Sequence, residues 1–260
     1  MSEPDKDKII SPGKRKRDKL KDWFSLVLGA HLLEQEAQAL GRILPELFGY
    51  HILQIGALHE RGLLVDSCIS HKILVQLEEE PASPAASLCC SADYLPILSD
   101  SLDVVVLPHL LEFLDSPYQS LREIERVLIG EGYLIIVGFN PWSLCGLWRL
   151  FLAWRDEPPW NGHFYGLARI KDWLSLLDFE LVRTEKFFYR PPLHNQRVMK
   201  KLQFLEKLGK YFWPYFGGVQ IIVAKKRVIP LTPMKLSRRD RRSVLASSGI
   251  AEPTARSQKS

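Results

Sequence analysis

Apolar residues recur at helical spacing in HLLEQEAQALGRILPEL, where Leu33, Ala37, Leu40, Leu44 and Leu47 predict an amphipathic helix ending near Gly49. Four short apolar runs follow. HILQIG stops at Gly56, KILVQL ends in Glu78, SLCC leads into Ser91-Ala92-Asp93, and LDVVVLP precedes a marked helix start. That start is Ser116-Pro117-Tyr118-Gln119, with Ser at N-cap, Pro at N1 and Gln at N3, a capping-box order. Its helix is expected to bury Leu121, Ile124 and Leu128 and to end at Gly130 and Gly132. The next run, YLIIVGF, is apolar throughout, as a strand covered on both faces must be.

Strands alternating with helices predict βαβ units, and hence an α/β, Rossmann-like, doubly wound and mostly parallel sheet. Past Asn140 the pattern changes. WSLCGLWRLFLAW reads as a very apolar helix with Leu144, Leu147, Trp148, Phe151 and Leu152 on one stripe, and a further helix places Ile170, Trp173, Leu174 and Leu177 on one face. A strand FELVRTEKFFY, a helix over Val198–Tyr211 and a last strand GGVQIIVAKKR complete the chain's ordered part, the last two strands forming an antiparallel C-terminal edge. Residues 1–22 and 231–260 are polar, charged and without apolar periodicity, so they are expected to be disordered tails around a domain spanning 23–230.

Charge is divided unevenly. Residues 1–22 carry eight Lys/Arg against five Asp/Glu, and residues 225–260 carry ten against two, which leaves 17 basic and 23 acidic residues between them. An acidic core between basic ends means that the net charge of +5 describes neither. KRKRDKLK and KLSRRDRR can serve as solvated tails, or as contacts for nucleic acid or an anionic membrane surface. Cys68, Cys89, Cys90 and Cys145 form no CxxC pair and have no histidine at ligand spacing, so neither a metal site nor a disulfide framework is expected. No apolar stretch reaches the length of a membrane span, and the expected location is cytoplasmic.

The order of segments from HILQIG through SADYLPILSDSLDVVVLPHLLEFLDSPYQSLREIERVLIGEGYLIIV resembles the class I S-adenosylmethionine-dependent methyltransferase domain of the type 11 kind, over about residues 30–140. GFNPWSL after it is similar to an uncharacterised bacterial branch. The resemblance implies S-adenosylmethionine as cofactor, held at the carboxyl ends of the strands. Matched residue by residue, it implies Gly56 as the loop glycine, Glu78 as the ribose acid, Asp93 as the adenine acid with Tyr94 beside the ring, and His109 near the methionine portion. Gln54 stands where the family has an acid, and Gly56-Ala57-Leu58 keeps one glycine of the usual three.

Three functions stay open at this point. The first is methyl transfer to a small apolar or aromatic acceptor met by Asn140, Trp142, Trp148, Trp160 and Tyr165, if those residues form a lid and do not simply pack the core. A second is a non-catalytic binding module that kept the fold while its loop decayed. The third is an RNA methyltransferase using the basic tails. No catalytic base is identifiable from the sequence.

Overall fold

In the computed structural model, the described residues are 12–56, 63–77, 86–152, 159–189 and 216–228. They run in the order α1 (Pro12–Ser25), α2 (Val27–Ile43), β1 (His51–Ile55), β2 (His71–Leu77), β3 (Leu88–Cys90), β4 (Leu102–Pro108), α3 (Pro117–Val127), β5 (Leu128–Phe139), α4 (Leu144–Leu152), α5 (Leu167–Leu176), β6 (Phe179–Phe187) and β7 (Val219–Lys226). The strands form one sheet in the order β3-β2-β1-β4-β5-β7-β6. The first five are parallel, and β7 enters between β5 and β6 antiparallel to both. The expected antiparallel C-terminal part is therefore present, with β6 on the edge and β7 inside.

Side chains alternate across the sheet, as a pleat requires. Ile52, Val104, Val106, Ile135, Val137, Val219 and Ile221 pack under α1 and α2, while Leu53, Ile55, Val105, Leu107, Leu134, Ile136 and Ile222 pack under α3 and α5. Both faces are thus covered, which explains why the central strands read as unbroken apolar runs. The topology reverses between β1 and β4, and the strand ends there are where such sheets place ligands.

Four local expectations change. The folded part starts before Trp23, because α1 begins at Pro12 and its Leu20, Trp23 and Phe24 are buried. The basic run over 14–17 hid a helix whose apolar face is confined to its last two turns. The predicted stripe on α2 is also broader than expected: Leu33, Leu40, Leu44 and Leu47 are buried as predicted, but Ala37 is exposed and Leu32, Glu36, Ala39 and Ile43 are buried as well. Ser116 does stand at the N-cap of α3, but its side chain makes no capping hydrogen bond. Finally, α3 ends at Val127, so Leu128, Gly130 and Gly132 belong to β5. The ladder there jumps from Leu102↔Leu128 to Val104↔Tyr133, and the surplus residues bulge with Glu131 at φ 67° between the two glycines.

The predicted helix over Val198–Tyr211, the tail beyond 230 and Glu78 lie outside the described residues. Among the described residues no helix is long and apolar enough to cross a membrane, and no three His, Cys, Asp or Glu side chains are placed to hold a metal ion.

Candidate active site

At the end of β1, the chain turns through Gly56 at φ 102°, a backbone conformation that L side chains rarely adopt. Its N–H donates to the carbonyl of Val75 at 2.8 Å, which extends the pairing of β1 with β2 into the turn. Gln54 is fully buried beneath it. Its Nε2 donates to the Gly56 carbonyl at 3.0 Å, and its Oε1 accepts from the Leu63 N–H at 3.0 Å. The side chain that stands in the place of the family's acid is therefore a staple for its own loop.

Asp93 follows β3 and is half-buried. Its Oδ1 accepts from the Ser120 hydroxyl on α3 at 2.6 Å, and its N–H donates to Ser91 Oγ at 3.3 Å. One turn further along the same helix face, Glu123 Oε2 accepts from the Leu95 N–H at 3.3 Å. A turn beyond that, the Arg126 guanidinium donates to the carbonyls of Leu95 and Ile97, both at 2.9 Å, and to Glu123. The hydrogen bond from Arg126 holds the Glu123 carboxyl below its ordinary range. Ser120, Glu123 and Arg126 thus clamp the loop that carries Asp93 at helical spacing. Tyr94, beside it, is 76% exposed and free to lie along a ring.

The end of β4 gathers charge in the core. His109 sits at φ 47° with its N–H donating to Val137 and its ring wholly buried. Nε2 donates to Glu36 Oε1 at 2.8 Å, and Nδ1 lies 3.4 Å from Glu112 Oε1. Glu36 comes from α2, and Glu112 from the 3-10 turn at Leu111–Phe113. Burial alone pushes the imidazole pKa down, but the charges of Glu36 and Glu112, with their hydrogen bonds, outweigh it and raise it to about 10. Both ring nitrogens then donate, each toward a carboxyl group.

Glu112 Oε1 also accepts the Phe139 N–H at 2.7 Å, and its backbone carbonyl accepts the His163 N–H at 2.8 Å. Through its carboxylate and its backbone carbonyl together, Glu112 joins the end of β4, the end of β5 and the segment before α5. A side chain at Gly138 would meet Glu112 Oε1 at 2.8 Å, so the glycine makes room for it. Aromatic rings close the surroundings. Phe139 lies 4.3 Å and Phe24 5.3 Å from the His109 ring, Trp23 packs edge-on to Phe139, and Phe164 stacks on Phe139 at 5.0 Å.

Of the sequence-predicted site residues, Gly56 and Asp93 flank the carboxyl edge of the sheet with Tyr94, and His109 lies at the same edge but under cover. Glu36 and Glu112 were missed, although Glu36 is an acid on the apolar stripe of an amphipathic helix. The expected aromatic lid divides. Trp160 is buried, Trp142 and Trp148 are exposed on and before α4, and Tyr165 packs beside Trp173 at 4.9 Å. Asn140 instead ties β5 to the start of β7, its Nδ2 donating to the Gly217 carbonyl at 2.9 Å.

The strand order, with five parallel strands and an antiparallel β7 between β5 and β6, is that of a class I methyltransferase fold. Residues 53–136 match the family model described as a methyltransferase domain. Over 239 residues the chain is 34% identical to the uncharacterised protein YafS of Escherichia coli K12, covering 90% of this chain and 94% of that one. Two similar solved structures are S-adenosylmethionine-dependent methyltransferases. One from Thermotoga maritima, described as a possible histamine N-methyltransferase, has TM-score 0.60 at 18% identity, covering 82% of this chain and 98% of that one. The other, from Archaeoglobus fulgidus, has TM-score 0.50 at 23% identity, covering 74% and 94%. The chain belongs to one family with YafS, and its residues 53–136 carry the methyltransferase domain.

Proposed function

We propose that this protein transfers a methyl group from S-adenosylmethionine to a small acceptor with an aromatic or apolar body, and that Gly56, Glu78, Asp93 and Tyr94 hold the cofactor. When bound, the cofactor supplies a methyl group already activated on a sulfonium. What remains for the chain is to position, exclude water and accept a proton.

The residues suit those tasks. Gly56 at positive φ lets backbone approach a ligand where a Cβ would intrude. Asp93 is held by Ser120 through one oxygen and remains half-exposed at the sheet edge, an acceptor for an amine or hydroxyl. Glu78 follows the last residue of β2, at the position from which a ribose is met in this family. Around His109, the rings of Phe24, Phe139 and Phe164 offer an apolar wall for the acceptor's body.

The observation that carries this reading is the pairing of a positive-φ glycine after β1 with a clamped acid after β3 on one edge of the sheet. Calorimetric titration with S-adenosylhomocysteine tests it. Micromolar binding, about −8 kcal/mol, weakened roughly tenfold or more in Asp93→Ala is the expected outcome. A folded protein with no affinity for the nucleoside overturns the reading and leaves a binding module whose Gln54 loop serves only the fold.

A further inference from the structure

Ser120 stands in the first half of α3 at a buried position where alanine would be the better helix former. It is 0% exposed. A serine placed inside a helix commonly returns its hydroxyl to the carbonyl of the preceding turn. Here the Ser116 carbonyl accepts the backbone N–H of Ser120 at 3.3 Å, and the hydroxyl reaches across to the loop after β3, donating to Asp93 Oδ1 at 2.6 Å. That length is characteristic of a hydroxyl bonded to a carboxylate. A residue that breaks the local preference of its helix for one contact marks that contact as its purpose.

The carboxylate shows what the contact achieves. A carboxylate only accepts, and Ser120 takes up one of its two oxygens. Among the described residues Oδ2 has no partner, and Asp93 is half-buried at the carboxyl edge of the sheet. Other groups hold the surrounding main chain. The Asp93 N–H donates to Ser91 Oγ, the Leu95 N–H donates to Glu123 Oε2, and Arg126 donates to the carbonyls of Leu95 and Ile97. The clamp therefore divides its work. Glu123 and Arg126 fix the path of the loop, and among the described residues only Ser120 fixes the carboxylate itself.

We propose that Ser120 is a positioning residue for recognition of the cofactor's base: with Oδ1 occupied, Asp93 presents Oδ2 as one fixed acceptor, which selects a purine bearing an exocyclic amine over one bearing a carbonyl. On the methyl-transfer reading, on which this assignment depends, the base lies beside Asp93 and Tyr94. An amine there donates to Oδ2. A carbonyl in its place sets acceptor against acceptor, and the bond from Ser120 keeps the carboxylate from turning away, so the selection works by repulsion as well as attraction. Without the hydroxyl the carboxylate can rotate toward water and admit either base. Tyr94 makes no such choice, because stacking uses the face that every base has.

The probes are S-adenosylhomocysteine and S-inosylhomocysteine, in which the purine amine is exchanged for a carbonyl, titrated calorimetrically into the full chain. The wild type is expected to bind the adenine compound roughly tenfold or more tightly, because the carbonyl leaves acceptors facing each other. In Ser120→Ala that ratio is expected to fall to about threefold or less, since the acceptor must now be immobilised on binding. The thermal midpoint should change little, as alanine regains helix propensity. Ser120→Cys keeps a weak donor and should fall between the two. Glu123→Gln is the contrast: it disturbs the main-chain clamp, so any loss falls on both compounds alike and the ratio holds. A ratio unchanged in Ser120→Ala overturns the proposal, and so does an equal weakening of both compounds, which is what a merely structural serine would give. Partial unfolding of a variant cancels, because both compounds meet the same sample. A wild type that binds both compounds equally removes this proposal alone, whereas a wild type that binds neither removes the methyl-transfer reading with it.

Discussion

The ends of β1 and β4 lie side by side in the sheet and treat polarity in opposite ways. At β1, the family's acid is replaced by Gln54, which is neutral and pairs both ends of its amide within its own turn. At β4, three ionisable side chains meet with no solvent, and two carboxylate oxygens stay unpaired. The first end resembles a finished piece of core. The second keeps acceptor capacity that its own contacts do not use. Charge is absent from the side chain buried under the β1 turn and is concentrated one strand over, at the end of β4.

The strongest way to break this contrast is to open the β4 cluster. Truncating Glu36 takes from His109 the closer of its two carboxyl contacts and leaves a void in a buried cluster, at a cost of about 3–5 kcal/mol. Glu36→Ala is therefore expected to lower unfolding free energy by about that amount in urea titrations, the largest effect anticipated here. A loss under about 1 kcal/mol, the range of exposed pairs, would mean that water reaches His109 and that the cluster is not the sealed site described.

A gentler probe is pH. The imidazole pKa is about 10 in the fold and near 6.5 when the chain is unfolded. Between those values the folded state binds the extra proton, so stability falls as pH rises. The contribution is complete below about pH 6.5, declines by about 1.4 kcal/mol per pH unit at most, and is gone above about pH 10. Glu36 on α2 and Glu112 on the 3-10 turn are the charged groups facing the ring, and Phe24 and Phe139 close it from α1 and β5. Denaturation midpoints of the wild type should therefore drop from pH 7 to pH 9, and those of His109→Asn should drop less. Parallel curves would place the charge elsewhere.

The two ends were also unequally legible in the sequence. The strands announced themselves because both faces of the sheet are covered, so HILQI, LDVVVLP and YLIIVGF had to be apolar throughout. Gly56 and Asp93 were visible because each closes such a run. Glu36 was hidden by an ambiguity of helical phase. Leu33, Ala37, Leu40 and Leu44 fit a 3.6-residue stripe as well as Leu32, Glu36, Ala39 and Ile43 do, and only an acid's presence made the second choice look worse. The signal was that mismatch itself: an acid flanked at i−4 and i+4 by Leu32 and Leu40 needs a cation or a donor across the core. Its partner, His109, lies 73 residues away, and no local pattern joins them. The basic run of α1 misled in the same manner, since its charges outnumber the three apolar residues that anchor it.

The smallest expected effect sharpens the comparison from the β1 side. Gln54→Glu restores the family's residue type, and if the site there merely lacked charge, affinity for S-adenosylhomocysteine should rise. The geometry argues otherwise. Gln54 Nε2 now donates to the Gly56 carbonyl, and a carboxylate in its place would set two acceptors 3.0 Å apart in a buried turn. That mismatch costs about 1–3 kcal/mol, and it falls on the turn that must hold φ 102° at Gly56. The substitution should therefore destabilise the fold by that amount and leave nucleoside affinity unchanged or lower. An increase in affinity would show that the β1 end is a weakened charge site and not a finished staple. The concentration of charge at β4 would then be an addition to the family's arrangement and not a displacement of it.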